Sequence, residues 1–169
     1  YGIRLLEVLK QLPIETHLVV TKAGQLTRSY ETDMSLDALK ALADVYYSPN
    51  DIAAPIASGS FKTLGMIVAP CSMNTLSDIA HSASGQLLAR AADVVLKERR
   101  RLVLMPREAP LHLGHLRNMT AVTEMGGVIY PPVPAFYHKP KDIAAMVDET
   151  VGRVLALFDL ETPLVKVWE

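Results

Sequence analysis

The sequence predicts an α/β protein built on a mostly parallel sheet with helices on both faces. Three observations carry that prediction. Short apolar runs alternate along the chain with segments of helical period. The runs "GMIVAPC" and "RLVLMP" are apolar throughout, as strands covered on both faces are. Turn and breaker residues (Pro13, Gly126, Gly127 and the proline-rich "PPVPAFYHKP") punctuate the alternation where each element should stop.

Taken in order, "YGIRLLEVLKQL" reads as an amphipathic helix with Leu5, Leu6, Leu9 and Leu12 on one stripe. Pro13 breaks it, and "ETHLVVTK" (Glu15 to Lys22) follows as a strand. A polar stretch leads to the helix "SLDALKALADV", for which Ser35 is the natural cap. Residues Tyr46 to Lys62, with two prolines and scattered small polar residues, read as a long ordered loop. "GMIVAPC" is a buried strand, with a helix from about Ser72 and a second from about Gly85 to Arg99. "RLVLMP" is the next strand. A segment holding His112 and His115 runs into the helix "LRNMTAVTEMGG", stopped by its glycines. "VIY" is a fourth short strand. The last helix spans roughly Lys141 to Phe158, with Ile143, Met146, Val147, Val151, Val154 and Leu155 as its apolar face. An apolar tail (Leu164, Val165, Val167, Trp168) follows, expected to pack on a neighbouring subunit or back on the fold.

The chain of 169 residues is expected to form a single domain, with 161–169 as its tail. Lys+Arg 17 against Asp+Glu 18 gives a net charge of -1, without the basic excess of a nucleic-acid binder. The run Lys97, Arg99, Arg100, Arg101 closes a helix, where cations favour the dipole. No apolar run approaches a membrane span, and the one cysteine, Cys71, excludes an internal disulfide. A soluble cytoplasmic protein is expected. The sequence opens at its first helix without an initiator Met or a capping residue, so an upstream segment is expected as well.

In a parallel sheet, ligands sit outside the carboxyl ends of the strands. Here those ends carry Thr21-Lys22, then Ser72-Met73-Asn74-Thr75, then Arg107-Glu108, then the stiff loop with Tyr137 and His138. Hydroxyls, a guanidinium, a carboxylate and a phenol on one edge suit a phosphorylated ligand with an acid or base beside it. Each has a plainer reading. Ser72 alone is more often a helix cap, although a helix N-terminus also favours an anion. Arg107 and Glu108 could be a solvated pair of little energetic weight. Cys71 reads as a small buried hydrophobe. His112 and His115 lack a third partner, and no metal site is expected.

The segments "GMIVAPCSMNTL", "LLARAADVVLKERRRLVLMPRE" and "VPAFYHKP" together resemble the flavin prenyltransferase family (the UbiX/Pad type), within the flavin-dependent homo-oligomeric cysteine decarboxylase-like fold group. The resemblance runs over nearly the whole chain, and the joint spacing of Arg90, Lys97, Arg107-Glu108 and Tyr137 is its most specific part. It implies a three-layer Rossmann-like (flavodoxin-like) arrangement. It also implies a metal-independent transferase that joins a dimethylallyl group, from dimethylallyl monophosphate, to N5 and C6 of reduced FMN. The prenylated FMN would then pass to a UbiD-type decarboxylase, and the enzyme would be a homododecamer.

By the same resemblance, Thr21, Ser72, Met73, Asn74, Thr75 and Arg107 would bind FMN. Glu31, Arg90, Lys97 and Glu108 would be catalytic. Tyr137, Arg153, Lys97 and Arg107 would hold the dimethylallyl phosphate, where cations and a phenol stabilise the charge left as an allylic C–O bond breaks. Glu108 would relay a proton between the leaving phosphate and flavin C6. The family opens with a strand and a Gly-x-Ser-Gly-Ala loop ahead of the helix beginning "YGIRLLEVL"; both are missing from this sequence. Two rival readings are a peptidyl-cysteine decarboxylase-type flavoprotein and an FMN-binding accessory subunit of a hydroxyarylic acid decarboxylase. "PCSMNTL" and "PREAP" argue against the first, and intact Glu31, Lys97, Glu108 and Tyr137 favour chemistry over the second.

Overall fold

A computed structural model describes residues 1–164. Its elements run α1 (Gly2–Leu9), β1 (His17–Val19), α2 (Lys22–Glu31), α3 (Leu36–Lys40), β2 (Val45–Tyr47), β3 (Gly65–Cys71), α4 (Met73–Ala80), α5 (Leu87–Lys97), β4 (Arg101–Pro106), α6 (Leu113–Glu124), β5 (Val128–Ile129) and α7 (Ile143–Ala156). A 3-10 turn at Pro55–Ala57 interrupts the loop before β3.

All the strand pairs are parallel, in the orders β1-β2 and β3-β4-β5. The centre is the pairing of β3 with β4, which sets Met66 opposite Leu102, Ile67 opposite Val103 and Val68 opposite Leu104. Successive side chains on a strand point to opposite faces. Accordingly Val68, Leu102 and Leu104 pack with Leu76, Ile79, Ala92, Val95 and Val122 from α4, α5 and α6. On the other face Val103 and Met105 pack with Leu5, Val8, Val151, Val154 and Leu155 from α1 and α7. β4 is therefore buried from Leu102 to Pro106, while β3 is mostly half-buried and opens toward β1. A side chain at Gly2 would collide with the Ala69 carbonyl, so α1 lies directly on β3. Gly65, at φ 148, starts β3 where a Cβ would collide with the Arg101 backbone.

Several expectations change. The polar stretch after β1 is a helix, α2, capped by Thr21, whose hydroxyl accepts from the Gly24 amide at 3.0 Å. It buries no residue, so no apolar period announced it. The loop expected from Tyr46 to Lys62 begins with β2, which pairs residue for residue with β1. Ile143 does not join the apolar face of α7: it is 78% exposed in the first turn, ahead of the part of the helix that reaches the core. The helix expected to reach Arg99 stops at Lys97, with Arg99 at a φ of 56. Leu164 packs against the α1–α7 side of the core, as expected of the tail. Val165, Val167 and Trp168 lie outside the described residues.

Candidate active site

The turn after β3 answers to the helix-cap reading first. Ser72 is the N-cap of α4, and its hydroxyl accepts from the Thr75 amide at 3.1 Å and donates to the Thr75 hydroxyl at 3.1 Å. Met73 turns onto the core beside Val68 and Leu76. Asn74 stays exposed and donates to Asp78 at 3.3 Å. Cys71 is 1% exposed, and burial pushes its thiol up to about 12, which makes it an inert hydrophobe rather than a nucleophile.

The cap does not exhaust this turn. The N-terminal turns of α2 (Thr21, Lys22, Ala23) and α4 (Ser72, Asn74, Thr75) line one cleft of about 810 Å³. Both helix N-termini bring unpaired backbone N–H groups and the positive end of a helix dipole to the same space. Arg28 lines it too, with Nε buried and without a hydrogen-bond partner among the described residues. An anion fits that setting better than any neutral group. β1 and β3 do not pair, so the expected single sheet is divided in two, and an apolar opening of about 850 Å³ between them shares Thr21, Arg28, Ser72 and Thr75 with the first cleft.

Glu31 and Arg107, expected as separate functional groups, form an ion pair at the rim of the larger cleft, with Arg107 Nη1 donating to Glu31 Oε2 at 2.9 Å. The Arg107 guanidinium holds the Glu31 carboxyl below its ordinary value, against a smaller opposing effect of burial. Arg107 thus pairs with Glu31 and not with its neighbour Glu108, because consecutive residues leaving a strand point apart. Glu108 is exposed and accepts from the Ala109 amide at 3.2 Å.

The remaining expected residues lie elsewhere. Arg90 and Lys97 sit on α5 and face the loop before β3: Arg90 Nε donates to the Ala57 carbonyl at 3.4 Å, and Lys97 pairs with Glu98. Tyr137 and Arg153 sit near the far edge of the sheet, beyond β5. There Arg153 hydrogen-bonds the Tyr130 phenol, whose ionisation burial pushes up and Arg153 pulls back. Neither cleft is lined by Arg90, Lys97, Glu108, Tyr137 or Arg153. One chain therefore brings Thr21, Ser72, Asn74, Thr75 and Arg107 to the clefts, leaves Met73 on the core, and holds Lys97 apart from Tyr137 and Arg153. Arg28, Tyr130 and Glu149 were missed by sequence reasoning, and His138 was named only with its loop. Arg28 lies on the helix taken for a polar stretch, and the others acquire partners only through the fold.

The weaker motifs resolve structurally. The Arg100 guanidinium donates to the Phe61 and Gly59 carbonyls, each at 2.7 Å, and Arg101 donates to the Leu157 carbonyl, so these cations tie loops down. His112 caps α6, its Nδ1 accepting from the His115 amide at 3.3 Å while the two rings stack.

The model of the flavoprotein family matches residues 1–158. The flavin prenyltransferase UbiX of Escherichia coli (strain K12) is 58% identical over 164 residues, covering 96% of this chain and 87% of that protein. Its counterpart from Thauera aromatica is 54% identical over 168 residues, covering 99% and 87%. A crystal structure of AnUbiX (PadA1) in complex with FMN and dimethylallyl pyrophosphate superposes with a TM-score of 0.97 at 52% identity, over 99% of this chain and 89% of that one. A dodecameric FMN-dependent UbiX-like decarboxylase from Escherichia coli O157:H7 gives 0.96 at 49% identity, over 99% and 91%. The chain belongs to the flavoprotein family and, within it, to the UbiX-type flavin prenyltransferases.

Proposed function

We propose that this chain transfers a dimethylallyl group from dimethylallyl monophosphate to N5 and C6 of reduced FMN. The observation that carries the reading is the cleft ringed by two helix N-termini, with the Arg28 guanidinium beside it. It occurs in a chain 52% identical to a protein crystallised with FMN and dimethylallyl pyrophosphate. Thr21, Ser72, Asn74 and Thr75 hold the FMN phosphate, and Met73 contributes through its backbone. Reduced FMN supplies the electron-rich ring positions that accept the prenyl carbon atoms. Arg107, once released from Glu31, reaches the flavin or the leaving phosphate, while Glu31 is left as a carboxylate beside the reacting face. Glu108 relays the proton.

Arg90 and Lys97 on α5, and Tyr137 and Arg153 beyond β5, complete the prenyl-phosphate pocket across subunits, because the chain itself holds these groups apart. A homododecamer supplies such seams, and the dodecameric relative supports it. The chain acts as one flavoprotein domain, and no metal enters the chemistry. Its product, being a cofactor, is consumed by a UbiD-type decarboxylase. No described helix is long and apolar enough to cross a membrane, and the enzyme works in the cytoplasm. Anaerobic incubation with reduced FMN and dimethylallyl monophosphate tests the transfer. Inorganic phosphate should be released only when both are present; a chain that binds FMN and releases none refutes it.

A further inference from the structure

The loop from Pro131 to Asp142 carries Tyr137 and has no regular secondary structure. A turn bonds the Lys139 amide to the Phe136 carbonyl at 2.9 Å, with Lys139 at a φ of 49. Tyr137 itself is 63% exposed, so burial does little to fix its ring. The next residue differs. His138 Nε2 lies 3.1 Å from Glu149 Oε1, and the two side chains are only 16% and 13% exposed. The His138 ring also lies against the Tyr137 ring, with centroids 4.2 Å apart. Glu149 stands one helical turn before Arg153 on α7, and residues four apart share a helix face. The pair therefore fastens the tyrosine loop to α7 next to the arginine.

We infer that His138 and Glu149 are positioning residues that hold Tyr137 in register with Arg153 for binding the prenyl phosphate. This rests on the reading of Tyr137 and Arg153 as ligands of that phosphate. A phenol and a guanidinium grip one phosphate only if their separation is set before it arrives, and a misplacement of about 1 Å can cost on the order of a hundredfold in rate. The loop has prolines to stiffen it, yet stiffness alone does not anchor it to α7. The His138–Glu149 contact, largely shielded from solvent, does.

The test measures the KM for dimethylallyl monophosphate and the FMN dissociation constant on the full-length chain. His138→Ala should raise that KM on the order of tenfold, a loss smaller than full misplacement would give. FMN affinity should stay within about twofold, less than 0.5 kcal/mol, because neither cleft is lined by His138 or Glu149. His138→Asn, whose amide can still donate to Glu149, should recover most of the loss. Glu149→Leu should reproduce His138→Ala, and carries the comparison alone if the histidine variant fails to fold. A KM unchanged in both variants, with Tyr137→Phe raising it, overturns the positioning role and leaves the ligand reading intact. A KM unchanged in Tyr137→Phe as well removes the ligand reading, and the inference with it. FMN and prenyl-phosphate affinities falling together would make the pair a general brace of the fold and overturn the inference.

Discussion

Ser72 does two jobs in this account, and Ser72→Asp separates them. As N-cap of α4 it accepts from the Thr75 amide at 3.1 Å, and aspartate caps as well as serine does. Stability should therefore change by no more than a few tenths of a kcal/mol, whereas Ser72→Ala should cost about 1 kcal/mol. For a chain of this size that is a fall of roughly 2–4 °C in melting midpoint. Ligand binding should order the variants differently. A carboxylate about 4 Å from a phosphate repels each unit of its charge by about 1 kcal/mol in water, and by about 4 kcal/mol near a protein surface. Ser72 is exposed, which favours the lower figure. FMN affinity in Ser72→Asp should thus fall on the order of tenfold or more, with the fold intact. Thermal melting and titration of flavin fluorescence at fixed ionic strength give the two numbers. If Ser72→Asp binds FMN like the parent protein while Ser72→Ala loses only stability, the residue is a cap and nothing else.

Glu31 gives a pH prediction. Its carboxyl is held below the ordinary 4.5 by Arg107, so the pair's stabilisation is fully present above that value and is lost as pH falls through the lowered one. Both side chains are 48% exposed, so the contribution is small, about 0–1 kcal/mol. Acid unfolding of Glu31→Gln alongside the parent should show a gap at neutral pH that closes in acid; a gap that widens in acid contradicts the pairing. Glu108→Gln should keep FMN and dimethylallyl monophosphate bound while slowing ring closure by roughly 10²–10⁴-fold. In a single turnover, flavin alkylated at N5 without the fourth ring should accumulate, and ring closure at the parental rate would remove Glu108 from the proton path.

The fold was legible where burial wrote it into the sequence. β4 is buried from Leu102 to Pro106 and reads as an apolar run, and Ser35, Ser72 and the glycines after α6 marked helix ends correctly. α2 was not legible because it buries nothing, and β2 because three residues paired only to β1 carry too short a pattern. In the candidate site, the hydroxyls that follow β1 and β3 stood out in the sequence, and the fold brings Thr21 and Ser72 to one cleft. The partner of Arg107 was not, because Glu31 lies far away in sequence at the end of the helix that went unseen. The His138–Glu149 pair escaped for the same reason: its meaning lies in a loop-to-helix contact that no local spacing encodes.

The most direct measurement is the mass of the flavin extracted after the chain is incubated, without oxygen, with reduced FMN and dimethylallyl monophosphate. A flavin heavier than reduced FMN by one C5H8 unit should form in repeated turnovers and be absent when the prenyl phosphate is omitted. Recovery of unaltered FMN alone, from a protein shown to bind both molecules, would contradict it.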